Sequence, residues 1–145
     1  MSFPFIKSVD ISVYSSKYSI TTGLSKLLND KDILSFDTES RSVYNKNDRK
    51  EATKYLKEAT PEDYHYRQAR MVAGSSGLSY PSIIDTTHFV FGESRDKSHV
   101  FICDTPQKEL LVWKTIAKYN GLLLIHNTLH DLKIMYERIG TFPKN

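Results

Sequence analysis

The sequence predicts an α/β fold in which helices flank a mixed β-sheet. Two short apolar runs, Ile33–Phe36 and Leu122–Ile125, have the composition of strands buried in a sheet. Two further β-rich runs lie between them in the chain, and apolar residues at helical spacing follow these runs. Strands that alternate with helices in this order are typical of a sheet with helices packed against it.

The first elements precede this sheet in the chain. Residues 6–14 alternate loosely between apolar and polar types, which predicts a short leading strand. Thr21 or Thr22 is expected to cap a short helix that carries the leucines of residues 24–28.

Two carboxylates follow the first apolar run, Ile33–Phe36. The strand is expected to end at Asp37 and Glu39, which are two positions apart and therefore point to the same face of a strand. Two anions held this close repel each other unless a positive charge lies between them. Hard oxygen ligands suit Mg²⁺ or Mn²⁺. The alternative is a strand that ends in a polar turn, with Asp37 capping the next element.

Segment 41–80 is polar and charged, and we expect it to be an insertion after the first core strand. It should contain helices near Arg49–Lys57 and Pro61–Val72. Its basic and aromatic side chains are the ingredients of single-strand binding. Acidic side chains are interspersed among them, which favours a solvated helical decoration. Whether the insertion binds nucleic acid stays open.

The middle of the sheet is predicted from a hairpin pattern. Strands are expected over residues 83–92 and 99–103, joined by the polar loop 93–98. Thr105 as N-cap and Pro106 in the first turn then predict the start of a helix.

The last predicted elements are a strand and a helix. Gly121 is expected to end the preceding helix in a left-handed cap. The run Leu122–Ile125 predicts a strand buried on both faces. A helix over about residues 129–139 follows.

Composition excludes several classes of protein. The single cysteine, Cys103, rules out an internal disulfide framework and a zinc site of several cysteines, and its apolar neighbours predict a buried, inert thiol. No apolar run approaches the roughly 20 residues of a membrane span, and the first residues do not resemble a secretory signal. We therefore expect no membrane partner and a cytoplasmic location. The net charge of +3 is compatible with a polyanionic partner.

A second group of polar residues follows the last apolar run. Asn127 and Asp131 are four residues apart and would lie near one face of the helix that starts there. Asp131 would be a third carboxylate, able to join Asp37 and Glu39 where the strands end. The alternative is that Asn127 is only an N-cap and Asp131 only a first-turn acid that complements the helix dipole.

Two motifs carry a resemblance to a known family. Phe36–Glu39, followed about ninety residues later by His126–Leu132, resembles the first and second motifs of the DEDD, or DnaQ-like, 3′–5′ exonucleases. The chain is most similar to the proofreading exonuclease domains of family A DNA polymerases of phage and bacterial type. The resemblance implies a ribonuclease H-like fold that covers residues 33–140.

The resemblance also implies roles for individual residues. Asp37 would bridge two divalent metal ions, Mg²⁺ or Mn²⁺. Glu39 would ligate the ion that binds the attacking water, and Asp131 would support the second ion. Thr38 and Asn127 would contact the substrate. The family's third motif, a Tyr or His followed by an Asp, has no counterpart after Asp131. We therefore expect a C-terminally truncated copy that is inactive as this 145-residue chain alone.

The implied activity is metal-dependent removal of nucleotides from the 3′ ends of single-stranded DNA. The expected partner is a DNA polymerase domain, in cis or in trans, in a bacterial or phage-infected cell. Two alternatives remain: an RNA-trimming enzyme of the same family, and a catalytically incomplete nucleic-acid-binding domain on the same fold.

Overall fold

The computed structural model describes residues 9–74, 84–126 and 128–145. The chain divides into two compact units. The first, here called the core unit, comprises Met1–Glu39 and Thr86–Asn145. The second, the insert unit, comprises Ser40–Asp85. It stays a prediction that the chain is a single, partial exonuclease-like domain in which residues 41–80 are an insertion.

Strands and helices alternate along the chain, except that two helices lie between the second and third strands and none lies between the third and fourth. In chain order the elements are β1 (Asp10–Tyr14), α1 (Lys17–Asp30), β2 (Ile33–Ser42), α2 (Lys46–Leu56), α3 (Tyr66–Ala73), β3 (Ile84–Ser94), β4 (Lys97–Ile102), α4 (Pro106–Ala117), β5 (Leu122–Ile125) and α5 (Thr128–Ile139).

The five strands form one mixed sheet in the order β1-β4-β3-β2-β5. Strand β1 is parallel to β4, β5 is parallel to β2, and β3 is antiparallel to β4. The α/β prediction is therefore confirmed. The order puts β2, which carries the first motif, beside β5, which leads into the second, because strand pairing overrides their separation in sequence.

The core lies on one face of this sheet. Strand β2 buries alternate side chains, and Phe36 contacts Trp113 of α4 with ring centroids 6.0 Å apart. Phe89 also meets Trp113, edge to face at 4.8 Å. Burying each large apolar side chain contributes about 1.5–3 kcal/mol. The fully buried side chains of the core unit include Ile20, Leu24, Leu34, Phe89, Phe91, Phe101, Val112, Trp113, Ile116, Ile134 and Met135.

The opposite face is open at β2 and β5. Ile33, Leu122 and Leu124 are each about half exposed, and Leu122 pairs with Ile33 in the register of the two strands. The prediction that β5 is buried on both faces is therefore wrong. A continuous apolar run cannot distinguish a central strand from an edge strand that packs on one side only.

Helix α1 begins earlier than the sequence predicts. Its N-cap is Ser16, which forms a capping box with Ser19. The expected caps, Thr21 and Thr22, lie inside the helix, where their hydroxyls donate to carbonyl groups four residues back. The helices of the insert unit also shift: Asn45 caps α2, so it starts at Lys46, and turns replace the expected first part of α3.

The last helices show why two glycines occur where they do. Thr105 caps α4 and Pro106 is its first residue, as predicted. The helix ends at Ala117, so the expected left-handed cap at Gly121 is wrong. Gly121 is needed for another reason, since a Cβ there would lie 2.5 Å from the carbonyl oxygen of Asp32. The left-handed glycine is Gly140, at φ +70° after α5.

The cysteine prediction is confirmed. Cys103 is buried, and burial raises the pKa of its thiol to about 12, which keeps it protonated and unreactive. In the described part of the chain, no helix combines the length and the apolar character that crossing a membrane requires.

Candidate active site

Strand β2 presents Asp37 and Glu39 on the same face. Leu34, Phe36 and Thr38 are buried on one side of the strand, and the two acids alternate with them on the exposed side. The strand does not end at these acids, as expected from the sequence, but continues to Ser42. The same-face geometry follows from the pleat and does not depend on where the strand ends.

The carboxyl groups of Asp37 and Glu39 are lightly engaged. One oxygen of Asp37 accepts a hydrogen bond of 2.9 Å from the backbone N–H of Thr38. The backbone carbonyl of Glu39 accepts from the hydroxyl of Thr87, 3.2 Å away, while its side chain extends into solvent. Neither acid forms an ion pair with any residue that the structure describes. Both carboxylates are therefore available to a ligand.

Asp131 approaches β2 from the helical side. It lies in the first turn of α5 and is 1% exposed. The hydroxyl of Thr38 donates to Asp131 Oδ1 at 2.5 Å. The other oxygen, Oδ2, is buried and has no hydrogen-bond partner among the described residues. A buried carboxylate oxygen that no described donor satisfies carries a large desolvation cost. Asp131 Oδ2 is therefore a candidate ligand for a cation.

Burial raises the pKa of the Asp131 carboxyl. The hydrogen bond from Thr38 and the charge of His130 act in the opposite direction, and the charge of Asp37 raises the pKa further. Asp37 and Asp131 are therefore close enough to interact electrostatically. Both effects that raise the pKa would be relieved by a cation next to the two carboxylates.

A partly buried ion pair ties α5 to α4. Arg138 Nε donates to Glu109 Oε1 at 3.1 Å, and Trp113 Nε1 donates to the same oxygen at 3.3 Å. At the other end of the helix, the hydroxyl of Thr128 donates to the carbonyl of Ile125 at 3.1 Å. These contacts fix α5 relative to the sheet, and so they fix the position of Asp131 on it.

The structure brings together part of the predicted site. Asp131 contacts Thr38 and interacts with Asp37, whereas no group of three histidine, cysteine or acidic side chains suited to a metal ion occurs within residues 9–74, 84–126 and 128–145. The three-carboxylate metal site that includes Glu39 stays a prediction. Asn127, the other expected substrate contact, lies outside the described residues.

Sequence reasoning missed the side-chain role of Thr38. The strand pattern carried the signal, because a residue between two exposed acids must point toward the helices. Its hydroxyl therefore meets Asp131 from the inner face, while Asp37 and Glu39 lie on the outer one. The Glu109–Arg138 pair was also missed, and it has no local sequence signal because 29 residues separate its members.

Comparisons with known proteins support the fold. No protein-family model matches the chain, and no curated protein has a similar sequence. Among solved structures, the chain is similar to the EXO domain of Aedes aegypti Nibbler, with a TM-score of 0.51 and 12% sequence identity. The match covers 97% of this chain and 49% of that one, so the chain spans about half the length of the protein it resembles. The ribonuclease H-like fold expected from the motifs is confirmed.

Proposed function

We propose that this chain belongs to a metal-dependent 3′–5′ exonuclease. The observation that carries the proposal is Asp131, a buried carboxylate held by Thr38. One of its oxygens has no hydrogen-bond partner among the described residues, and Asp37 lies within electrostatic reach. A structural acid would be expected to find a partner within the fold. The likeness to an EXO domain supports the same class of activity.

The donor set suits divalent cations. Asp37, Glu39 and Asp131 would hold Mg²⁺ or Mn²⁺, the ions that carboxylate oxygens prefer. Bound there, such ions would supply an activated water and stabilise the leaving 3′ oxygen in phosphodiester hydrolysis. Thr38 orients Asp131 through its hydroxyl, and the exposed side of β2 leaves Asp37 and Glu39 open to a strand end.

The substrate in this proposal is the 3′ end of single-stranded DNA. The choice rests on the motif resemblance to proofreading domains, with a DNA polymerase domain in cis or in trans as partner and the cytoplasm of a bacterial or phage-infected cell as location. RNA is the alternative substrate. An enzyme that distinguishes the two must make contacts near the 2′ position of the sugar.

Digestion of end-labelled oligonucleotides tests the proposal. The full-length product of the gene, incubated with 5′-labelled single-stranded DNA or RNA and Mg²⁺ or Mn²⁺, should shorten the strand from its 3′ end. Asp37→Ala and Asp131→Asn should each lower the rate by at least about 100-fold, because each removes a charge that holds the cations. Asp30→Asn, an exposed acid at the end of α1, is the matched control and should keep full activity.

The outcomes separate the candidate functions. Faster digestion of RNA than of DNA would move the substrate to RNA. Undiminished trimming by Asp37→Ala would contradict the assignment of the site. Binding of both oligonucleotides without any metal-dependent hydrolysis would leave a nucleic-acid-binding domain on the same fold.

A further inference from the structure

Helix α2 of the insert unit, together with its C-cap Lys57, sorts most of its charges onto two sides by sign. One side carries five cations at helical spacing, and together with Thr53 and Ala73 they line a groove of about 600 Å³. These cations are Lys46, Arg49, Lys50, Lys54 and Lys57. We call this groove the basic groove. No carboxylate lines it.

The acids of α2 face elsewhere. Glu51, Glu58 and Asp63 line a different pocket, and Lys54 lies at the border because it lines both this pocket and the basic groove. Asp48 is engaged at the helix start, where its carboxylate accepts from the backbone N–H of Asn45 at 3.0 Å. These acids are interspersed with the cations in the sequence, but the helical period places them outside the basic groove. Apart from Lys54, the cations of the basic groove are therefore not mixed with acids, unlike the interspersed charges of a solvated decoration.

Ion pairs do not neutralise the cations of the basic groove within the described part of the chain. None of the five forms an ion pair with a residue in the described part of the chain. Arg49 donates from Nη1 to the backbone carbonyl of Tyr44 at 2.6 Å, which orients its guanidinium and leaves its charge in place. Like charges four residues apart destabilise a helix slightly, so an external polyanion would relieve a repulsion that the fold retains.

The dimensions of the basic groove suit a chain-like ligand. From Lys46 to Lys57 the helix rises about 16 Å, at 1.5 Å per residue. A row of cations of this length can follow several phosphates of one strand, and each phosphate neutralised releases counterions, which drives binding.

We propose that the basic groove binds the sugar–phosphate backbone of a single-stranded nucleic acid. The proposal rests on the proposed function for its ligand class, since a 3′–5′ exonuclease must hold a strand whose end is being hydrolysed. No aromatic side chain is among the described residues that line the groove. Base stacking is therefore small here, and binding depends on charge with little preference for sequence.

Charge removal in the basic groove tests the proposal. The variant Lys46→Gln/Lys50→Gln/Lys57→Gln removes three charges with a good helix former. The control Lys17→Gln/Lys114→Gln/Lys118→Gln removes three exposed charges from the core unit: one in α1, one in α4 and one at the C-cap of α4. Both proteins are compared with the wild type by circular dichroism and thermal melting, which verify that each is folded.

Binding is measured by fluorescence anisotropy with labelled oligothymidylate and oligouridylate, in EDTA so that no hydrolysis occurs. At about 0.1 M salt, the groove variant should bind at least about tenfold more weakly, and the slope of log K against log salt should fall by about 2, or 0.7 for each charge. The control should stay within about twofold of the wild type.

Three results would overturn the proposal: unchanged affinity in the groove variant, an equal loss in the control, or tighter binding to phosphatidylserine vesicles than to either oligonucleotide.

The test separates this proposal from the proposed function. Asp37→Ala should retain strand binding while it loses hydrolysis. If Asp37→Ala loses hydrolysis but the groove variant binds as tightly as the wild type, the exonuclease proposal is supported and the groove proposal is wrong. If the groove variant binds weakly but the wild type hydrolyses neither oligonucleotide, the groove proposal is supported and the exonuclease proposal is wrong.

Discussion

Two buried carboxylates in the core unit are treated very differently by the fold. Glu109 on α4 is 3% exposed and Asp131 on α5 is 1% exposed, and burial raises the pKa of both. Glu109 accepts hydrogen bonds from Arg138 and Trp113, whereas the only hydrogen bond to Asp131 within the described residues comes from Thr38. Burial of an acid is thus ambiguous by itself. The chemistry of its partners distinguishes an acid that holds the fold together from one available to a ligand.

Removing the cation beside Glu109 should have the largest effect. Arg138→Met keeps most of the side chain's apolar contact and leaves Glu109 buried without its ion pair. Truncating one member of such a pair typically costs about 3 kcal/mol or more, and we expect a loss of that size in the free energy of unfolding, measured with urea.

The double variant Glu109→Gln/Arg138→Met is the control for this loss. Because it removes both charges, it should recover more than half of the lost stability. If the single variant lies within about 0.5 kcal/mol of the wild type, Glu109 is not a structural acid and the contrast with Asp131 fails.

Removing the hydroxyl beside Asp131 should have the next largest effect. Thr38→Val is nearly isosteric but takes away the only hydrogen bond to Asp131 Oδ1 in the described structure. A buried acceptor left without its donor costs about 1–3 kcal/mol, so we expect a loss of about 2 kcal/mol in chemical denaturation.

Thr38→Ser is the matched control, because it keeps the hydroxyl and should lose less than half as much stability. Equal losses in both variants would show that the methyl group of Thr38, and not its hydroxyl, stabilises this position. Nuclease activity should follow the same order if Thr38 orients Asp131.

The sequence predicts well those features that depend on local periodicity. The same-face placement of Asp37 and Glu39 needs only the pleat of a strand, and the start of α4 needs only Thr105 and Pro106. The ribonuclease H-like fold was accessible because two motifs of the right type each follow an apolar strand.

The remaining features depend on pairing across long separations. That β5 is an edge strand with Leu124 exposed follows from the strand order, which no local pattern encodes. The meeting of Thr38 with Asp131 spans 93 residues and requires both the strand parity of β2 and the position of α5. Sequence spacing predicts that the acids converge. The side of β2 from which Asp131 approaches is determined by the packing of α5, which the sequence pattern does not encode.

A third acid, Glu93, extends the comparison to a partly exposed position. It is the extra residue of a bulge in β3, and its carboxylate lies 2.6 Å from Lys31 Nζ and 2.7 Å from His99 Nε2. Hydrogen bonds from Lys31 and His99 lower the pKa of Glu93 to about 2 from an ordinary 4.5. Its ionised form is therefore favoured in the folded state.

Replacing this acid should change the dependence of stability on pH. Because the folded-state pKa is depressed, the contribution of Glu93 is present above the ordinary pKa and disappears as the pH falls toward about 2. Glu93→Gln should be less stable by about 1–2 kcal/mol at pH 7, a value reduced for solvent screening. The difference from the wild type, measured by urea denaturation between pH 7 and pH 3, should shrink with falling pH. A difference independent of pH would mean that Glu93 acts through its shape and not its charge.

Neutralising Asp131 should have the smallest effect and the opposite sign. Asp131→Asn keeps an oxygen that accepts from Thr38 and removes a buried charge that forms no ion pair with a described residue. The raised pKa means that the wild type is most stable when Asp131 is protonated and loses that stability as the pH rises through the folded-state pKa. At pH 7 the variant should therefore be more stable by about 1 kcal/mol, as happens when an active-site residue kept for function is replaced.

Mg²⁺ or Mn²⁺ should raise the melting temperature of the wild type more than that of the Asp131→Asn variant, because only the wild type offers the carboxylate as a ligand. If Asp131→Asn instead destabilises the protein as Arg138→Met does, Asp131 is a structural acid like Glu109, and the proposed active site loses the observation on which it rests.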